Sequence, residues 1–208
     1  MEIIKNFVVF EGGDGCGTTT QLSLLKKRFN NIHDQKLYPT FEPTDGEIGK
    51  IIRAALKGEL PVKPQTLAML FAADRNEHIN GYNGILEHIN KRELVVCDRY
   101  VLSSLVYQGI ECGDELPLFL NSRFPTPELT IFLDIEPETA LKRMKTRSSL
   151  EIYEYSDFQE KVRKKYKSLI ETNRSGGANI QIIDASLSEQ EVAEQIWSQI
   201  RKMPIFSK

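Results

Sequence analysis

The chain has 208 residues, 40% hydrophobic and 27% charged, with a formal net charge of −2. That length suits a single domain with a sizeable core, and the near-neutral balance excludes an overall basic field that would recruit nucleic acid or a membrane surface. No apolar run approaches the ~20 residues of a spanning helix. The N-terminus runs almost directly into a strand without a signal-like apolar segment. Three unpatterned cysteines, Cys16, Cys97 and Cys112, fit reduced thiols and a cytoplasmic setting.

Strand-like and helix-like runs alternate along the chain, which predicts an α/β fold with a parallel sheet. Phe7 to Phe10 forms the first strand and breaks into glycines. Leu22, Leu25 and Phe29 then recur at helical spacing, and Asn30-Asn31 ends that helix. A short strand from Lys36 to Phe41 closes at Glu42-Pro43. Ile48, Ile51, Ile52 and Leu56 mark a helix with Gly58 as its cap. Pro64 suits the first turn of a longer helix carrying Leu67, Leu70, Phe71 and Ile79. A small helix at 85–89 leads to the strand Leu94 to Cys97, which ends in Asp98-Arg99-Tyr100.

The second half repeats the alternation. Leu129 to Leu133 is a strand, and Pro137 opens a helix to about Thr146. The polar stretch from Arg147 to Ser156 interrupts the pattern as a mobile loop. Val162, Tyr166, Leu169 and Ile170 form the next helical stripe, Gly176-Gly177 a turn, and Ile180 to Ile183 the last strand. Ser188 and Glu191 make a capping box for the final helix. Five strands, each followed by helix, and no linker give one domain over residues 1–208.

The chemistry starts at the first strand's end. Gly12 and Gly17 occupy the first and sixth positions of the phosphate-loop pattern G-x-x-x-x-G-K-[ST], and Thr19 the position whose hydroxyl serves Mg²⁺. The seventh position, where the pattern has lysine, is Thr18. Cys16 reads as a small residue filling a tight loop, against the rival reading of a redox switch. Asp98 stands at a strand's carboxyl end, where ligands bind in open α/β sheets, and can hold Mg²⁺ through water. Arg99 beside it can clamp a phosphate with its planar fork. Phe71 and Arg75 share a helical face and could stack on a base and bond its edge, unless Phe71 is core and Arg75 faces solvent. His33, His78 and His88 form no ligand pattern.

Together these residues resemble the thymidylate kinases of the nucleoside monophosphate kinase group, over nearly the whole chain. The resemblance rests on Phe10 to Gly15, on Leu-Phe-Ala-Ala-Asp-Arg at 70–75, and most on Asp-Arg-Tyr-Val-Leu-Ser-Ser-Leu-Val-Tyr-Gln-Gly at 98–109. It implies a three-layer P-loop fold, a five-stranded parallel sheet flanked by helices, with a short lid at about 143–156. It implies phosphorylation of dTMP to dTDP by Mg²⁺-ATP, within dTTP biosynthesis, by a homodimer.

The resemblance also assigns residues. Gly12, Gly13, Asp14, Gly15, Cys16, Gly17, Thr18 and Thr19 would cradle ATP, with Thr19 and Asp98 holding Mg²⁺. Asp14 would orient the acceptor phosphate, and Arg99 would hold it with Arg53 as a second contact. Glu42 would line the acceptor site, Phe71 stack on thymine, and Arg75 bond its edge. Ser104 and Gln108 would approach the base, and Tyr107 would pack where a ribose 2′-hydroxyl would sit. Two departures stand out: Phe41 replaces the usual arginine before Glu42-Pro43, and Thr18 replaces the loop lysine. Arg143, Lys145 and Arg147, leading into the lid, are the candidate substitute cations, with Arg143 and Arg147 as catalytic residues. The rival readings are a kinase of another nucleoside monophosphate and a nucleotide-binding protein with weakened catalysis.

Overall fold

A computed structural model describes residues 2–31, 35–144 and 156–207. Its centre is β1 (Ile3–Gly12), whose run from Phe7 to Glu11 is fully buried. A strand covered on both faces reads as a continuous apolar run, which is why this segment lacks polar alternation. β3 (Leu94–Asp98) flanks it on one side and β4 (Thr126–Asp134) on the other, with β2 (Leu37–Phe41) and β5 (Ile180–Asp184) at the edges. All pairings are parallel, in the order β2-β3-β1-β4-β5. Phe10 pairs with Asp98, and Gly12 with Leu133, so these strands end along one edge.

The helices are α1 (Thr18–Phe29), α2 (Glu47–Leu56), α3 (Pro64–Asn80), α4 (Ile85–Asn90), α5 (Val101–Cys112), α6 (Glu115–Asn121), α7 (Pro137–Met144), α8 (Ser156–Ser175) and α9 (Glu189–Ile200). Side chains alternate across a strand, and the alternation decides which helices each residue meets. Val8, Phe10, Leu94 and Val96 face α1 and α9, packing with Leu22, Leu25, Ile196 and Ile200. Phe7, Val9, Val95 and Cys97 face the other way, toward Ile79, Ile85 and Tyr100. A third cluster joins Phe132 of β4 to Ile52, Val106, Tyr166 and Ile170 of α2, α5 and α8. By the same alternation, Asp98 is delivered to the α1 face and Glu11 to the opposite one.

Five parallel strands, the Gly58 turn (φ 75°) and the Ser188–Glu191 capping box agree with the sequence reading. The alternation puts a helix after every strand but gives none bounds between β3 and β4; the structure has two there, α5 and α6. β4 also begins at Thr126, three residues before the apolar run, since strand pairing to β1 extends beyond the apolar core. Among the described residues, no helix is long and apolar enough to cross a membrane.

Candidate active site

The loop between β1 and α1 turns on glycines in the left-handed region, Gly15 at φ 78° and Gly17 at φ 99°. Gly12 is required for another reason. A Cβ there would sit 2.5 Å from the Cys16 Sγ and 2.9 Å from the Leu133 carbonyl oxygen. Cys16 therefore fills the loop's interior, and burial pushes its thiol up to about 11, so it stays protonated at neutral pH. That favours packing over redox chemistry. Gly17 leads directly into α1, whose first N–H groups lack intrahelical partners and suit an anion. Thr18 is buried at the start of α1.

The Thr19 hydroxyl donates to Asp98 Oδ2 at 2.7 Å, while Asp98 Oδ1 is buried without a hydrogen-bond partner among the described residues. An unsatisfied buried carboxylate oxygen is costly. Beside a phosphate loop, the donor set of one carboxylate and one hydroxyl fits Mg²⁺, which takes few protein oxygens and keeps its waters.

Arg99 follows Asp98 with φ 70°, a left-handed conformation that costs a non-glycine residue roughly 1 kcal/mol or more and concentrates at functional sites. Its N–H is held by the Phe10 carbonyl at 2.8 Å. The guanidinium spans both halves of the site: Nη1 donates to the Gly12 carbonyl at 2.9 Å, and Nη2 to Asp14 Oδ1 at 2.5 Å. It also lies over the Tyr107 ring, 5.3 Å from its centroid. Asp14 is fixed from a second side, because Gln159 Nε2 donates to Oδ2 at 2.7 Å and Gln159 Oε1 accepts from the Asp14 N–H at 3.1 Å. Gln159 comes from α8, 145 residues away, and no pattern in the chain signals it.

Glu11 is a second residue missed from sequence. Its Oε1 accepts from the Tyr100 and Ser103 N–H groups at 3.0 and 3.3 Å, and its Oε2 from the Ser103 and Tyr166 hydroxyls at 2.6 and 2.9 Å. One carboxylate thus caps α5 and ties α8 to the phosphate strand. The signal was available: an acidic residue continuing an apolar, buried run demands partners. Burial raises the Glu11 carboxyl above its ordinary 4.5, while Ser103, Arg99 and Tyr166 pull it down by less. A carboxyl raised on folding binds more protons in the native state, so stability falls as pH rises from the unfolded value toward the folded one. Glu11→Gln removes that titration while its amide can still bond both hydroxyls. Denaturant melts at several pH values should show the wild type losing stability relative to Glu11→Gln as pH climbs from 4.5, and then levelling.

A cavity of about 120 Å³ runs from Asp14 and Arg99 to Phe71, Arg75, Ser104, Tyr107 and Gln108, with Glu42 and Pro43 along one side. Phe71 is half-buried on its wall, so the rival reading of Arg75 in solvent is excluded: Arg75 is 1% exposed. Its Nε donates to Glu42 Oε2 at 2.9 Å, Nη1 to Asn121 Oδ1, and Nη2 to the Tyr100 carbonyl and Ser104 Oγ, both at 3.0 Å. Among the described residues four of its five donors are thereby used, leaving one on Nη1. Gln108 is 2% exposed, and its Oε1 has no partner among the described residues.

Other expected site residues stand elsewhere. Arg53 is not in the cavity wall; it donates to the Pro43 and Thr44 carbonyls at 2.7 and 2.5 Å, pinning the segment after the cis Glu42-Pro43 peptide. Arg143 donates to the Ala185 and Ser186 carbonyls at 2.8 and 3.4 Å, beyond the end of β5. Lys145 and Arg147, and the rest of the lid to residue 155, lie outside the described residues, as does His33. Phe41 is 42% exposed at the end of β2 and brings no charge to the site. A cation the sequence reading overlooked, Arg163 of α8, shares a cleft with Gly13, Asp14 and Gln159 and pairs with Asp134 at 2.6 Å.

The comparisons agree with this geometry. A family model described as Thymidylate kinase matches residues 10–196. Among relatives bearing thymidylate kinase names, one of Treponema pallidum is 40% identical over 205 residues, covering 97% of this chain and 98% of that protein. One of Methanocaldococcus jannaschii is 40% identical over 200 residues, covering 95% and 97%. One of Methanococcus aeolicus is 44% identical over 168 residues, covering 80% of each. Matched by that family model over most of its length and by relatives at 40% identity from end to end, the chain belongs to the thymidylate kinase family.

Proposed function

We propose that the protein transfers the γ-phosphoryl group of ATP to the 5′-phosphate of dTMP, giving dTDP and ADP. One observation carries the acceptor's identity: the cavity is lined both by Arg75, whose Nη1 has a second N–H beyond the one given to Asn121, and by Gln108, whose Oε1 has no partner among the described residues. Thymine offers a carbonyl acceptor at O4 beside an N3–H donor, which this pair complements. Cytosine presents the reverse, an amino donor beside an acceptor, and would leave buried groups unmatched. Phe71 gives the base a face to stack on, and Tyr107 fills the space below the sugar.

At the near end Arg99 holds the acceptor phosphate, and Asp14 keeps Arg99 and the incoming phosphate in register with the donor loop. No covalent intermediate is required, since phosphoryl transfer is catalysed by positioning and charge neutralisation. Mg²⁺ would be held by Thr19 and Asp98 and would neutralise charge on the donor's phosphates. The amides from Gly12 to Thr19 carry the donor phosphates. Arg147 is a candidate for the charge missing at Thr18, and Arg163, which shares a cleft with Gly13 and Asp14 but is paired with Asp134 and Glu136, stands nearer the loop than Arg143, whose fork lies beyond β5. Homodimerisation through α3 and α6 is supported by their exposed Met69, Leu118 and Phe119. Three unpaired cysteines support a reducing, cytoplasmic setting.

The test is ADP release with ATP and a panel of monophosphates. dTMP should lead dCMP by at least about 10²-fold in kcat/KM, because a site built to hydrogen-bond a substrate rejects mismatched analogues strongly. Equal rates for dCMP and dTMP would sink the assignment.

A further inference from the structure

Glu42, His78 and Cys97 offer three metal-ligand atoms within 4.8 Å of one another, all buried, next to the acceptor cavity. A metal is the wrong occupant. The Arg75 guanidinium stands 2.7 Å from Glu42 Oε2, and His78 has partners on both ring nitrogens. A divalent cation would displace those bonds and sit against a fixed positive charge.

What the cluster forms is a chain of hydrogen bonds joining β2, the segment that follows it, and α3. Thr40 Oγ1 on β2 lies 2.6 Å from His78 Nε2 on α3. His78 Nδ1 lies 3.0 Å from Glu42 Oε1, and Glu42 Oε2 receives Arg75 Nε at 2.9 Å. An ionised carboxylate only accepts, so Nδ1 donates to Glu42; the Thr40 hydroxyl, which can donate or accept, pairs with Nε2 in either form of the ring. Among the described residues Glu42 Oε1 is held by His78 alone, whereas Oε2 is taken by Arg75. Without the imidazole one buried carboxylate oxygen is unsatisfied, and the carboxylate is free to turn away from Arg75 Nε, leaving the guanidinium to be aimed by Asn121, Tyr100 and Ser104 alone. The Glu42 backbone is anchored separately, its N–H donating to the Asp98 carbonyl at 3.0 Å, so the looseness would be confined to the side chains.

We propose that His78 is a positioning residue for base selection: through Glu42 it aims the one Arg75 N–H that remains for the ligand. It touches neither substrate nor phosphate, and its effect reaches the base end of the cavity while leaving phosphoryl transfer alone. The proposal rests on the reading of that end as the thymine site.

The experiment measures dTMP and dCMP binding by calorimetry, together with steady-state rates and melting temperature, for wild type, His78→Leu and His78→Asn. The asparagine amide keeps a donor where Nδ1 stands; leucine keeps none. His78→Leu should weaken dTMP binding about tenfold and shrink the dTMP-to-dCMP ratio by a similar factor, the order of one well-aimed hydrogen bond, with kcat and the KM for ATP held and the unsatisfied carboxylate oxygen showing as a lower melting temperature. His78→Asn should recover most of the ratio. If His78→Leu does not fold, Thr40→Val, which removes only the outer link, should still lower the ratio in the same direction. Unchanged selectivity in His78→Leu, or equal impairment of the leucine and asparagine variants, would overturn the proposal. A wild type that binds dTMP no better than dCMP would overturn the thymine site itself, and this proposal with it.

Discussion

Arg99→Ala is expected to cut dTMP turnover by about 10³-fold, because one cation aimed at charge developing in the transition state is worth that order in a water-poor site. The loss should exceed a simple loss of phosphate binding. Asp14 and the Gly12 carbonyl now face the guanidinium at 2.5 and 2.9 Å. Without it, Asp14 would present an unopposed carboxylate to an anionic acceptor, and repulsion would add to the missing attraction. The backbone argues against collapse, since alanine also leaves the φ 70° conformation only mildly strained and the N–H bond to Phe10 is made by the main chain. Kinetics should show kcat falling with the KM for ATP little moved, and the far-ultraviolet spectrum unchanged. Near-normal turnover would show that another residue holds the acceptor phosphate.

Asp98→Asn is expected to cost about 10²-fold in kcat, the usual order for one lost electrostatic contribution in a transferring site. Asparagine can still accept the Thr19 hydroxyl now at 2.7 Å from Oδ2, so local structure should survive. What disappears is the charge, and with it the pull on a metal-bound water. The accompanying sign is specific: saturation should need more Mg²⁺, and raising Mg²⁺ should recover part of the rate. A rate and a Mg²⁺ dependence both equal to wild type would remove Asp98 from the metal site.

Much of this site was legible because its parts lie close in sequence or carry their own pattern. Phe7 to Phe10 announced a buried strand, the glycines from 12 to 17 a phosphate loop, and Asp98-Arg99 a pair at a strand's end. The hidden parts arrive from far along the chain. Gln159 reaches Asp14 across 145 residues and Tyr166 reaches Glu11 across 155, contacts that exist only once α8 lies on the sheet. α5 went unread as a helix because its residues were followed for their functional spacing, although Leu102 and Val106 are spaced for one buried helical face. Arg75 could be weighed as a base contact or a solvent cation. Its burial against Glu42, Asn121 and Ser104 needed β2, α5 and α6 in place.

The claim under the whole account is that this phosphate loop works with threonine where lysine is usual. Thr18→Lys, assayed beside wild type for steady-state dTMP turnover, tests it directly. If the site is built around Thr18, with charge supplied by arginines from other elements, the added lysine should change kcat by less than about tenfold or lower it, since it would not add the full 10² to 10³ of a missing donor. A gain of about 10²-fold or more from a nearly inactive wild type would contradict the account, and would mark the chain as a nucleotide-binding protein that lost its catalysis with its lysine.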